Sequence, residues 1–423
     1  MSAVAPIATA LDAREQELRQ RYRRSAALFE RATRIIPGGH HLSGRPLVDP
    51  YTAPMYFERG RGARIYDVDG HEYVDYLMAF GASLLGYARE EVNAAAEQQA
   101  RRGALLSLNH PLHVELVEAL LPLLPGAEMA AFFKTGSEAA TAALRIARAH
   151  TGRRVVVRAG YHGWHDWCLP LERFVPAGLD QQVLEFRATD PESLKRVLDE
   201  HGQRVAAVIL APEMVVPFEA AIFHELRRLT HHAGALFIMD EVKTGLRISP
   251  GSVCQRIDLV PDLFVVSKAL ANGWPLALTA GPARIMNTAA GMHYSATFHG
   301  DTAAMAACLE TVSLVRAEQT QRHVEALGQQ LIDGLNDLTR QLGVSAQAYG
   351  EPLPAMPFFR FTDADPERAA AMTRWFYREV LARGVLLHPR HLWFISGAHT
   401  ADDIERTLGA CRAALQATSS LLD

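Results

Sequence analysis

The chain has 423 residues, 49% of them apolar and 21% charged, with 30 Gly and 22 Pro. That length and composition suit a large buried core and exclude a chain dominated by disorder, collagen-like sequence or low-complexity repeats. A net charge of −4 with no long basic stripe argues against nucleic acid as a partner, and no apolar run approaches the ~18 residues of a membrane span.

In chain order, the first residues lack the basic start and long apolar stretch of a secretory leader. Residues 12–35 read as an amphipathic helix, with Leu18, Tyr22, Phe29, Ala32 and Ile36 recurring among Arg and Glu and Pro37-Gly38-Gly39 stopping it. Strand-like pieces follow at Pro54–Glu58 and Ala63–Asp67, and Asp69-Gly70 is a hairpin signal. The middle alternates apolar strands with helical patterns: Val155–Arg158, Val205–Leu210, Ala235–Met239 and Leu263–Val266, with a helix carrying Ile222, Leu226, Leu229 and Ala233 between the second and third. Continuous apolar strands separated by helices predict an α/β fold with a mostly parallel sheet covered on both faces. Chemistry in such sheets sits beyond the carboxyl ends of the strands. From about residue 316 the pattern turns to long helices, 319–342, 364–383 and Ala401–Leu415, with strands at 358–361 and Val385–Leu387. The expected division is an N-terminal segment (1–66), a large domain (67–315) and a smaller α+β domain (316–423). Cys168, Cys254, Cys308 and Cys411 are far apart and form no CxxC pair, which points to a reducing, cytoplasmic setting.

Four local features carry chemistry. Asp240 ends one buried strand and Lys268 ends the next, so both project at the carboxyl edge; a buried ion pair would explain them as well. Lys134-Thr135-Gly136-Ser137-Glu138 precedes an Ala-rich helix at 139–149. Free N–H groups at such a helix start suit a phosphate, and a simple cap by Ser137 or Thr135 would look the same. Tyr161-His162-Gly163-Trp164-His165 follows a strand, where an aromatic ring can cover a planar cofactor or merely anchor a loop. His162 and His165 have no third ligand at suitable spacing, so no metal is expected. Taken together, a lysine for an aldehyde, a carboxylate for a pyridine nitrogen, a helix start for a phosphate and an aromatic lid match the needs of pyridoxal 5′-phosphate.

The chain resembles class III pyridoxal-phosphate aminotransferases of the fold-type-I (aspartate-aminotransferase-like) group, and is most similar to the glutamate-1-semialdehyde 2,1-aminomutase branch. The resemblance runs from Pro37-Gly38-Gly39 through Tyr66-Asp67-Val68-Asp69-Gly70, Gly136-Ser137-Glu138 and Tyr161-His162-Gly163 to Ser396-Gly397-Ala398-His399. It implies Lys268 as the Schiff-base lysine and proton carrier and Asp240 as the partner of the pyridine nitrogen. Val242 would lie on the ring face opposite Tyr161, and Gly136 and Ser137 would hold the phosphate. Thr297 would reach the phosphate of the neighbouring subunit, which implies a homodimer with composite active sites. Ser43, Arg45 and Arg390 fall where the resemblance places contacts to a substrate carboxylate. Several segments depart from the mutase pattern. They are Ala269–Pro275 after the lysine, Ala79-Phe80-Gly81, a shortened stretch at Ala211-Pro212-Glu213, and His388–Trp393 in place of a segment with an acidic gating residue. With Trp274 and Trp393 in these segments, the resemblance implies a flatter or more apolar substrate than glutamate-1-semialdehyde. The expected activity is amino transfer from a small-molecule donor to a small, carboxylated carbonyl acceptor. Intramolecular mutase and racemase chemistry are alternatives on the same cofactor. A non-catalytic regulator is disfavoured, because no helix-turn-helix pair precedes the domain and the lysine is present.

Overall fold

The computed structural model describes residues 16, 17, 20–40, 55–168, 176, 178–350 and 353–422. Two compact units divide the chain, one made of Met1–Arg89 with Arg322–Asp423 and the other of Glu90–Gln321.

The first unit opens with the helix Arg23–Ala32, preceded by helical residues 16, 17, 20 and 21, and Pro37–Gly39 forms a short 3-10 turn after it. The helix is shorter than its apolar spacing predicts, because Thr33 to Ile36 turn before the proline rather than continue it. Strands β1 (Phe57–Arg61), β2 (Arg64–Asp67) and β3 (Glu72–Asp75) form an antiparallel meander, and the Asp69-Gly70 turn joins β2 to β3 as expected. Asp69 also ties this turn to the helix, accepting the N–H groups of Arg24 at 2.6 Å and Ser25 at 3.0 Å.

The second unit is built on a seven-stranded sheet. Its strands are β4 (Met129–Phe133), β5 (Val155–Ala159), β6 (Val183–Glu185), β7 (Val205–Leu210), β8 (Leu236–Asp240), β9 (Leu263–Val266) and β10 (Ala277–Gly281). The spatial order is β4-β10-β9-β8-β7-β5-β6. β6, β5, β7, β8 and β9 run parallel, and β10 is antiparallel to both β9 and β4. Every residue of β7, β8, β9 and β10 is buried, as strands covered on both faces require. The helix Gly136–Thr151 lies on this sheet through seven buried residues, five of them alanines. Small side chains let its backbone approach closely enough for Thr279 Oγ1 of β10 to donate to the Ala139 carbonyl at 2.7 Å.

The first unit resumes with most of the helix Thr320–Leu342, the hairpin of β11 (Ala346–Tyr349) and β12 (Phe358–Phe361), the helix Pro366–Ala382 and β13 (Val385–Leu386), and closes with the helix Ala401–Leu422. β13 pairs in parallel with β3, completing a four-stranded sheet. Among the described residues no helix is long and apolar enough to cross a membrane.

Candidate active site

The site assembles at the carboxyl ends of the parallel strands in the second unit. β8 and β9 are neighbours, with Asp240 opposite Val265, so the strand ends bring Asp240 and Lys268 to one edge. Lys268 stands two residues past β9 and opens the 3-10 turn Lys268–Ala271. Its φ of +52° lies in the left-handed region that β-carbon-bearing residues avoid. Such a conformation costs of order 1–3 kcal/mol, persists only where the surroundings dictate it, and clusters at functional sites.

Asp240 is 3% exposed, and its carboxylate is held twice. Oδ2 lies 2.6 Å from His162 Nδ1, and Oδ1 accepts the Val242 N–H at 3.0 Å. A buried carboxylate needs a proton-bearing partner, and His162 supplies it. Among the described residues Asp240 makes no ion pair with Lys268, so the simple core ion pair is not what these two residues form. His162 is stacked on Trp167, ring centroids 6.0 Å apart. Its Nε2 is buried with no hydrogen-bond partner. His165 Nδ1 is engaged elsewhere, 2.8 Å from Thr141 Oγ1.

At the start of the Gly136–Thr151 helix the cap is Thr135, not Ser137. Thr135 Oγ1 accepts the Glu138 N–H at 3.2 Å, and Glu138 Oε2 accepts the N–H groups of Thr135 at 2.8 Å and Lys134 at 3.1 Å. Those hydrogen bonds outweigh burial and hold the Glu138 carboxyl below its ordinary range. Gly136 and Ser137 occupy the first helical positions, whose N–H groups have no partner within the helix. Ser137 Oγ accepts the Trp164 N–H at 3.4 Å, which stitches the Tyr161–His165 loop to the helix start. The fit is tight. A β-carbon on Gly136 would lie 2.9 Å from Val242 Cγ2, and one on Gly163 would lie 2.2 Å from Ser137 Oγ. Tyr161 is 56% exposed at the mouth of β5, so it is not a core anchor. Burial raises its phenol pKa.

Desolvation lowers the Lys268 amine to a pKa of about 8. The Lys243 ammonium and Arg247 act in the same direction, and Glu213 and Asp240 oppose them. Lys243 in turn pairs with Glu213, Nζ to Oε1 at 2.6 Å. Burial works against the Lys243 charge, and the Glu213 carboxylate more than offsets it, so the Lys243 pKa is raised.

Thr297 begins the exposed 3-10 turn Thr297–Gly300, beside Phe298 at 63% exposure. This turn is fastened from behind. Asp301 caps the helix Thr302–Ala317, and Lys134 Nζ donates to Asp301 Oδ2 at 2.8 Å and to the Pro275 carbonyl at 2.9 Å. Trp274 is half-buried and donates its Nε1–H to Asn93 Oδ1 at 3.2 Å.

Of the substrate-contacting residues expected from sequence, Ser43 and Arg45 lie outside the described residues. Arg390 belongs to the first unit and is exposed, its N–H donating to His388 Nδ1 at 3.1 Å. Trp393 corrects an expectation: it is fully buried, with Nε1–H donating to the His388 carbonyl at 2.9 Å, and is core rather than a substrate-facing surface. Sequence reasoning missed three contributors. The His162–Asp240 bond joins residues 78 apart and is set by the sheet order. Glu213–Lys243 and Lys134–Asp301 are likewise long-range, and only the position of Lys243, three residues past Asp240, hinted at a role.

A lysine with a depressed pKa, a clamped carboxylate and an open helix start are the parts that pyridoxal phosphate chemistry needs. The first-turn N–H groups of Gly136 and Ser137, which have no partner within the helix, suit the phosphate of that cofactor, and the close packing of Gly136 on Val242 and of Gly163 on Ser137 fixes their place. The family model for class-III aminotransferases matches residues 48–388, and the chain belongs to this family of pyridoxal-phosphate-dependent enzymes. It is 32% identical over 409 residues to the 3-aminobutyryl-CoA aminotransferase of Cloacimonas acidaminovorans, covering 94% of this chain and 98% of that one. It is 34% identical over 419 residues to a glutamate-1-semialdehyde 2,1-aminomutase of Thermomicrobium roseum, covering 92% and 97%. Among solved structures it is similar to the PLP-containing FumI protein of Sphingopyxis sp. MTA144, at 31% identity and a TM-score of 0.87, covering 93% and 96%. The enzyme is a class III aminotransferase acting on small-molecule amino donors and carbonyl acceptors.

Proposed function

We propose that Lys268 is the residue to which the cofactor attaches and the proton carrier of an intermolecular aminotransferase. The observation that carries this reading is the left-handed, desolvated Lys268 at the end of β9, beside the strand that ends in Asp240. Bound pyridoxal phosphate supplies an aldehyde carbon that carries the amino group and a ring that accepts electrons from the substrate Cα. Asp240 faces the ring nitrogen and holds its proton, and His162, 2.6 Å from Oδ2, keeps the Asp240 side chain aimed. Gly136 and Ser137 donate their N–H groups to the phosphate at the positive end of their helix. Tyr161 and Val242 confine the two faces of the ring. The neutral Lys268 Nζ takes the proton from the substrate Cα and delivers it to the neighbouring carbon, which is general base and then general acid catalysis by one group.

The active unit is a homodimer in which Thr297 contributes to the partner's phosphate site. The exposure of Thr297 and Phe298 on a turn fastened through Lys134 supports this. The acceptor carries a carboxylate, read by Arg45 or Arg390, since a guanidinium fork suits that group. The protein works in the cytoplasm, a reading supported by four free, buried cysteines. The deciding experiment is borohydride reduction of the cofactor-loaded protein with peptide mapping, followed by a panel of amino donors and carbonyl acceptors. Label on Lys268 with donor-dependent amination of a separate acceptor is expected. Label on another lysine, or conversion of glutamate-1-semialdehyde to 5-aminolevulinate as the principal activity, overturns the reading in its first or second half respectively.

A further inference from the structure

Three neighbouring parallel strands deliver charge to one edge, Lys243 and Lys268 in matched register and Glu213 one residue short of it. Leu210 of β7 pairs with Met239 of β8, and Asp240 of β8 pairs with Val265 of β9. Glu213, Lys243 and Lys268 stand three residues beyond Leu210, Asp240 and Val265. The Lys243 and Glu213 side chains are 16% and 5% exposed and meet at 2.6 Å. Glu213 Oε2 is buried with no hydrogen-bond partner. An ion pair this buried costs desolvation that its own attraction need not recover, so it is weak evidence for a purely stabilising role. It also sits where the chemistry is. The charges that act on the Lys268 amine are Lys243, Glu213, Asp240 and Arg247, with Asp240 held by His162 and the Tyr161 phenol acting on Lys243.

We propose that the Lys243–Glu213 pair is a positioning element that sets the protonation of the Lys268 amine, Lys243 keeping it neutral and Glu213 limiting that effect. The inference rests on the reading of Lys268 as the proton carrier. A carrier must be neutral to break the Cα–H bond and form its own N–H bond, and must then part readily with that proton. A cation facing it favours both steps, because each is helped by destabilising the Lys268 ammonium. A lone buried cation would be unstable in such a site, and Glu213 removes that penalty without cancelling the local field. The depressed Lys268 pKa, to which Lys243 contributes, agrees.

The opposite signs of the two charges make the test sharp. The visible absorbance of the cofactor-loaded full-length protein is titrated with pH. The rate at which pyridoxal 5′-phosphate attaches to the full chain stripped of cofactor is followed across the same range. Lys243→Met, which removes the opposing cation and leaves Glu213 in place, moves both midpoints up by about one pH unit, the low end of what a neighbouring charge does. Glu213→Gln moves both down. The double variant Lys243→Met with Glu213→Gln returns towards the wild-type midpoints, and Lys243→Arg preserves them. If either single variant folds poorly, the other and the charge-neutral double variant carry the comparison. Midpoints that stay put, or that move the same way in both single variants, while borohydride mapping still labels Lys268, overturn this role for the pair. Label on a different lysine overturns the reading of Lys268 itself, and the two failures are thereby distinct.

Discussion

Gly163→Ala probes the link between the Tyr161–His165 loop and the helix start proposed to hold the phosphate. Gly163 has φ +113°, and a β-carbon there would lie 2.2 Å from Ser137 Oγ, 2.7 Å from Ser137 Cβ and 2.8 Å from Ser137 Cα. The hydroxyl can rotate away but the Cα cannot. Cβ, at 2.7 Å, is as fixed as Cα, and ordinary contact begins near 3.4 Å, so the helix start must retreat by about 0.7 Å. The left-handed backbone alone costs of order 1–3 kcal/mol. If Ser137 holds the phosphate as proposed, its displacement weakens a charge-assisted hydrogen bond, and full loss of one such bond, about 1.5–3 kcal/mol, corresponds to roughly 10- to 150-fold weaker cofactor retention. Gly152 is the matched control. It caps the other end of the same helix at φ +69° with nothing within 4 Å of a β-carbon, so Gly152→Ala carries the backbone strain without the collision. Thermal unfolding and equilibrium titration with pyridoxal phosphate separate the two effects. Both variants lose stability, and only Gly163→Ala loses cofactor. Equal cofactor affinity in the two variants would refute the claim that the loop presses on the phosphate site through Ser137.

Asp240→Asn keeps the fold and lowers turnover by at least about 10²-fold, the lower range for a positioned proton-control group, as steady-state rates will show. The rate of pyridoxal phosphate attachment to cofactor-free protein rises with pH and levels off above about 8, because the neutral Lys268 amine is the reactive form; a rate independent of pH across that value contradicts the assignment. Thr297→Ala weakens cofactor retention, and mixing it with Lys268→Ala restores activity in hybrid dimers, where one of the two composite sites has both groups intact; sedimentation of a fully active monomer would exclude shared sites. Arg390→Ala and Arg45→Ala raise KM for the acceptor and leave the cofactor absorbance unchanged.

The sheet was legible because its strands are apolar end to end. Val205–Leu210 and Leu263–Val266 fall where their β-branched runs place them, and the strand ending at Asp240 is offset by one residue. Met129–Phe133, Val183–Glu185 and Ala277–Gly281 were harder to see, since runs rich in Ala, or only three residues long, carry little periodic signal. The residues proposed to hold the cofactor could be picked out because each lies in a local motif at an element's end: Lys268 after a strand, Ser137 in a helix's first turn, Tyr161 in a loop. What surrounds it could not, because His162–Asp240, Lys243–Glu213 and Lys134–Asp301 are partnerships made by strand order rather than by spacing along the chain. The Thr135 cap settled an ambiguity that composition left open, since Thr135 and Ser137 are both good caps and only geometry shows which one is occupied.

The contact between Val242 and the space above Gly136 ties together two properties that protein engineers usually try to alter separately. Widening a pocket commonly begins with side chains that border the cofactor's ring, and Val242 is the obvious choice here. Its Cγ2 methyl, however, also occupies the space in which a Gly136 β-carbon would sit. Substitution by Ala removes support from the helix start proposed to hold the phosphate, and by Ile crowds it, so libraries at position 242 should shed cofactor as readily as they change substrate range. Diversification without leakage is better sought at side chains that do not touch the Gly136–Ser137 turn.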